Sequence, residues 1–148
     1  MPGNPQRLTA LNELMGECFR LNRSLVEVSQ QITDGIGVTG TQWGVLAAFG
    51  QDDVPGTVAE TARRMGLTRQ SVQRIADVLA SIGLINYLPD LADKRAQLVE
   101  VTAAGSILLK ELEQRQQAWV ESIIGEYRDT DISAAIQMVK NIRQRISK

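Results

Sequence analysis

Between Thr68 and Ser81 the chain places Arg69, Gln70, Gln73, Arg74, Asp77 and Ser81 at helical spacing. Val72, Ile75, Ala76, Leu79 and Ile82 fall on the other side. At about 100° per residue this pattern is an amphipathic helix with an apolar stripe and a face rich in amide and guanidinium groups. An arginine fork matches O6 and N7 of guanine, and a glutamine can pair with N6 and N7 of adenine. Serine and threonine hydroxyls reach base edges or phosphates. The chemistry indicated is recognition of a nucleic-acid groove. Bond-making chemistry has little to work with, because the chain contains no histidine, the commonest general base, and no glycine-rich phosphate loop. Its acidic residues show no convergence in the sequence, so no catalytic residue is assigned. With a single cysteine and no histidine there is no zinc-ligand set and no intrachain disulfide, and neither metal nor cofactor is expected.

Neighbouring segments must hold that helix in place. Val58, Ala62 and Met65 share a helical face, and Gly66 follows where a helix should stop. Leu67 is expected to be an apolar plug and Thr68 the cap of the next helix. Two helices joined by so short a turn match a helix-turn-helix, whose second helix lies in the DNA major groove. After Gly83, residues 84–88 and 96–101 read as strands, with Pro89-Asp90-Leu91-Ala92-Asp93-Lys94-Arg95 between them. This is a hairpin with a charged tip. Such a tip can reach the minor groove, where a narrow channel attracts arginine, and Arg95 is the candidate for insertion. A solvated turn is the ordinary explanation of Asp93-Lys94-Arg95, but its place directly after a helix-turn-helix favours a functional one.

The ordered set Thr39-x-x-Gln42-Trp43-x-x-Leu46, Leu67-Thr68-Arg69-Gln70-Ser71-Val72-x-Arg74, Gly83-Leu84-Ile85, Asp93-Lys94-Arg95 and Leu98-Val99-x-Val101-Thr102-x-x-Gly105 resembles the MarR family of winged-helix transcriptional regulators. The likeness spans roughly residues 8–146. It implies a mainly α fold with a small β-hairpin wing: a winged helix-turn-helix over 39–102, between dimerisation helices over 8–34 and 103–148 of one domain, 1–148. It also implies a homodimer and a DNA-binding regulator, expected to be a repressor relieved by a small ligand. DNA contact maps onto Thr68, Arg69, Gln70, Ser71, Gln73, Arg74, Asp93, Lys94 and Arg95, with Asp93 pairing with basic groups to hold the loop. The chain departs from the family at Tyr87, near where many members carry a basic residue. One backbone contact is therefore expected to be weaker or supplied by the phenol.

The flanks carry association signals of their own. Leu11, Leu14, Cys18, Leu21, Leu25, Val28 and Ile32 alternate spacings of three and four, a heptad-like seam that calls for a partner helix. Thr102 is the expected cap of a helix burying Ile107, Leu108, Leu112, Val120, Ile123 and Ile124. Asp131 is the expected cap of another carrying Ile132, Ile136, Val139, Ile142 and Ile146. Pairing of both ends about a two-fold axis would set two reading helices about one DNA turn apart, on a pseudo-palindromic operator in double-stranded DNA. Core stripes of a monomeric bundle are the alternative.

Charge follows the same division. The net charge is −1, yet residues 1–56 hold three Lys/Arg against six Asp/Glu, while residues 63–95 hold six against three. Positive charge gathers on the proposed reading head. A hydrophobic content of 43% with 22% charged residues is that of a folded soluble protein. No apolar run is long enough for a membrane span, and no leader pattern opens the chain, so a cytoplasmic location without membrane contact is expected.

Residues 38–50 read as one further helix beginning near Thr39 or Thr41, and residues 51–56 as a loop. Trp43 is read as a core anchor. Its alternative is to line a cavity for a small aromatic or phenolic effector, whose pocket residues stay unassigned. Cys18-Phe19-Arg20-Leu21-Asn22 is similar to the peroxide-sensing branch of the family, in which an oxidised cysteine releases DNA. That branch has tyrosines where this chain has Asn22 and Gly40 or Thr41. Cys18 is thus a candidate redox site, with a small buried hydrophobe as the competing role. Two alternative functions follow: a thiol-based oxidant sensor, and a winged-helix adaptor that binds protein and has lost DNA binding.

Overall fold

The computed structural model describes residues 4–147. The chain divides into two compact units, Met1–Glu113 and Gln114–Lys148.

The first unit opens with α1 (Pro5–Thr33), started by Pro5 in its first turn and by Asn4, whose Oδ1 accepts from the Gln6 amide at 3.0 Å. Only Ile32 and Thr33 of this helix are buried. The heptad-like seam is therefore largely open within one chain: Leu11, Leu21 and Leu25 are exposed, and Leu14, Cys18 and Val28 are half-buried. Next comes α2 (Gly40–Phe49), capped by Thr39 in a reciprocal box: Thr39 Oγ1 accepts from Gln42 N, and Gln42 Oε1 accepts from Thr39 N. Thr39, not Thr41, starts this helix. It supplies Val45, Leu46, Ala48 and Phe49 to the core, with Trp43 half-buried at the edge.

A short strand, β1 (Gly56–Thr57), closes the segment expected to be loop. It is followed by α3 (Val58–Met65), capped by Thr57 and Glu60 as α2 is capped by Thr39 and Gln42. Gly66 ends α3 with φ +67°, a left-handed conformation that favours glycine, and Leu67 N returns to Ala62 O at 2.9 Å. Then α4 (Arg69–Ser81) buries Val72, Ala76 and Leu79 completely. Two expected core residues lie outside that core. Leu67 is 43% exposed and Ile82 49%, because each sits at a helix junction where the stripe has run past the helices it packs on.

The antiparallel sheet has the order β1, β3 (Gln97–Val101), β2 (Ile85–Pro89). Its register sets Ile85 opposite Val101, Tyr87 opposite Val99 and Pro89 opposite Gln97. On the far edge Gly56 faces Val99 and Thr57 faces Leu98. Val99 is thus central, and it is 1% exposed. Thr102 ties sheet to helix: its Oγ1 donates to Gly83 O at 2.7 Å and accepts from Gly105 N at 3.1 Å. That cap begins α5 (Ala103–Ile123). Gly105 lets it approach closely, since a Cβ there would lie 2.3 Å from Leu84 O.

Of the α5 residues expected to be buried, only Leu112 is; Ile107 is 69% exposed. The second unit holds the end of α5 and α6 (Asp129–Ile146), with no buried residue in α6. Ile123, Ile124, Ile136, Val139 and Ile146 are all exposed. Asp131 does not cap α6. It lies inside the first turn and accepts from Arg128 Nε at 2.8 Å and Nη2 at 3.1 Å, while Arg128 occupies the cap position without a side-chain cap bond. Among the described residues no helix is long and apolar enough to cross a membrane.

Candidate nucleic-acid interface

Burial of Val72, Ala76 and Leu79 fixes which side of α4 is left over. That side is lined by Arg69, Gln70, Gln73, Arg74 and Asp77, which together border an open groove. Arg69, Gln70 and Arg74 are exposed, and their side chains make no hydrogen bond or ion pair among the described residues.

Thr68 and Ser71 stand differently. Thr68 Oγ1 accepts from Ser71 N at 3.2 Å and lies 2.8 Å from Ser71 Oγ, which donates to Thr68 O at 3.0 Å. Both hydroxyls therefore serve first as the helix cap. The free N–H groups of the first turn of α4 lie beside them, where the helix dipole favours an anion such as phosphate. Helix α3, which precedes the turn, is held from behind by Arg64. Its Nη2 donates to Ala48 O at 2.9 Å and its Nη1 pairs with Asp52.

The wing tip is shaped by two aspartates. Asp90 Oδ1 accepts from Ala92 N and Asp93 Oδ1 from Arg95 N, each at 2.9 Å. Asp93 thus holds the loop through a backbone amide, and among the described residues it forms no ion pair with a basic group as the family likeness implied. This turn leaves Lys94 and Arg95 exposed, their side chains without partners among the described residues. Leu91 beside them is 95% exposed.

One linkage was not foreseen from the sequence. Tyr87, on β2, donates from Oη to Asp77 Oδ1 at 2.7 Å. Gln73 Nε2 donates to the same oxygen at 3.0 Å and to Tyr87 Oη at 2.9 Å. The Tyr87 phenol thereby joins the wing to α4. Bonds from Tyr87 and then Gln73 hold the Asp77 carboxyl below the usual carboxylate range. Burial, reinforced by the bond to Asp77, pushes the Tyr87 phenol above its ordinary value. The spacing of Gln73 and Asp77 was the available signal, since residues four apart meet on a helix. The tyrosine's part needed the fold.

These elements form a winged helix-turn-helix, and its relatives are recognisable. The sequence profile of the MarR family matches residues 36–96. Over that segment the chain is similar to the MarR family. Across 139 residues it is 22% identical to the transcriptional activatory protein BadR of Rhodopseudomonas palustris, covering 92% of this chain and 79% of that protein. It is 21% identical over 136 residues to the transcriptional repressor YetL of Bacillus subtilis, covering 91% and 81%. The fold of Staphylococcus aureus MarR, solved in complex with salicylate and kanamycin, matches with a TM-score of 0.83 at 16% identity, covering 93% of each chain. Cys18 lies on α1 as a free, half-buried thiol and is not one of the residues that line the groove on α4.

Proposed function

We propose that the protein is a homodimeric, sequence-specific DNA-binding regulator, a repressor whose hold on DNA is relieved by a small ligand. One observation carries this reading. Arg69, Gln70 and Arg74 stand on the face of α4 opposite its buried stripe, exposed and with side chains that have no partner among the described residues. In the major groove these three side chains, with Gln73, read base edges. Thr68 and Ser71 approach phosphate at the helix start, and Lys94 and Arg95 extend the contact into the flanking minor groove, held by Asp93.

The open apolar residues of α1 and α6 support a second copy. Exposed rows such as Leu11, Leu21 and Leu25, or Ile136, Val139 and Ile146, are unusual on a chain that works alone. The two-fold axis then sets an operator with two inverted half-sites. Ligand control rests on the S. aureus relative, which was solved with salicylate and kanamycin.

A salt titration tests the reading. A dimer engaging about 6 to 10 phosphates gives a log–log slope of affinity against salt of about −5 to −9. Arg95→Ala lowers affinity for A/T-rich flanks and leaves the dimer intact. A flat salt response with tight binding to another protein would replace this reading by that of an adaptor. Salicylate is the first effector probe, with release of bound duplex as the readout.

A further inference from the structure

A glutamine side chain is ambivalent in the major groove. One edge of its amide accepts, the other donates, and rotation by half a turn about its last bond exchanges them. A free glutamine can therefore meet the amino group of adenine or cytosine with its oxygen, or the keto oxygen of guanine or thymine with its nitrogen. Gln73 is not free in this way.

Its nitrogen sits in a closed triangle with Asp77 Oδ1 at 3.0 Å and Tyr87 Oη at 2.9 Å, the phenol itself lying 2.7 Å from the carboxylate. An ionised carboxylate only accepts, so the amide must turn its NH2 towards Asp77. The lone phenolic proton is already donated to Asp77, so the Tyr87 oxygen accepts from Gln73 as well. A half-turn would set the Gln73 carbonyl against two oxygens and break both bonds. Gln73 Oε1 is left without a partner among the described residues, on a residue that borders the α4 groove.

We infer that Tyr87 and Asp77 fix the polarity of Gln73, so that it presents its carbonyl to DNA and selects a base bearing an exocyclic amino group, adenine or cytosine, over guanine or thymine. This rests on the proposed entry of α4 into the major groove. Tyr87 and Asp77 act as positioning residues: they set specificity through Gln73 without touching the base. The wing thereby bears, through Tyr87, on what the reading helix reads.

The test is selection of bound sites from random duplexes with the full-length protein, its Gln73→Ala, Tyr87→Phe and Tyr87→Phe/Asp77→Ala variants. Gln73→Ala marks the operator position that Gln73 reads, and analogues lacking the exocyclic amino group, placed there on each strand in turn, mark the strand it faces, to which the preferences below refer. At that position the parent is expected to favour adenine or cytosine over guanine or thymine by roughly five-fold or more, as one good base contact supplies. In Tyr87→Phe that ratio shrinks, and in the double variant it approaches one, while the other positions keep their preferences. Circular dichroism of each variant verifies that it is folded. A parent preference for guanine or thymine at that position overturns the inference. So does an unchanged profile in a folded double variant. A parent that binds no duplex overturns the groove reading and this inference together, whereas site-selective binding with either of the first two results overturns the inference alone.

Discussion

Helices α4 and α6 are both amphipathic and end in opposite conditions. The first has 13 residues and buries Val72, Ala76 and Leu79 against its own chain. The second has 18 residues and buries none. The difference lies in the partners each sequence can find. α4 is flanked by short connections that return α3 and β2 onto its stripe, so its polar face is released for another use. The apolar residues of α6 are as numerous, but none of them is buried.

The largest effects should divide along that line. Leu79→Ala empties a fully enclosed site and is expected to cost about 2 to 5 kcal/mol in denaturant unfolding. Val139→Asp on α6 is expected instead to change molecular mass by light scattering, from two chains to one, because a buried unpaired carboxylate is not tolerated at an interface. If Val139→Asp left the mass unchanged, α6 would be no part of the contact between copies.

Next come the free side chains of α4. Arg74→Ala or Gln70→Ala is expected to lose about 1 to 3 kcal/mol of specific binding and to relax base preference, with thermal stability unaltered. Equal affinity of these variants for every duplex would remove α4 as the reading element. Thr57→Ala, which breaks the box between Thr57 and Glu60, should lower stability by about 1 kcal/mol and leave base preference alone.

The smallest effect is a pH signature. Tyr87 has its folded-state value raised above the 10.0 of a free phenol, so its neutral form favours the fold. That contribution is complete below pH 10.0 and is lost as pH rises through the folded-state value. A Tyr127→Phe protein leaves Tyr87 as its single phenol, and its ultraviolet titration should fall above the ordinary range. Asp77→Ala should bring it down.

Much of this was legible in the sequence because it is periodic or local. The stripe of α4, the caps Thr39, Thr68 and Thr102, and the stop at Gly66 each follow from spacing or from backbone chemistry within four residues. What escaped depends on elements meeting. Strand β1 is two residues long, made of Gly56 and Thr57 among turn formers, and exists because the edge of β3 is there to pair with. Apolar periodicity marked Ile107 and Ile123 as buried, yet it cannot say whether the covering surface belongs to the same chain. Asp131 looked like a cap because its type suits one, but the helix begins two residues earlier and gives it to Arg128. At the candidate interface, residue type marked Arg69, Gln70, Gln73 and Arg74 alike as expected DNA contacts, and it could not tell that Gln73 is engaged across the wing by a tyrosine 14 positions away.

The central claim is that the unengaged face of α4, duplicated by a two-fold axis, reads DNA. Sites recovered from random duplexes test it most directly. The account predicts an inverted repeat with half-site centres about 10 base pairs apart, lost when Arg74 is replaced by alanine. Recovery of no enriched sequence, or of a motif that Arg74→Ala leaves intact, would contradict it.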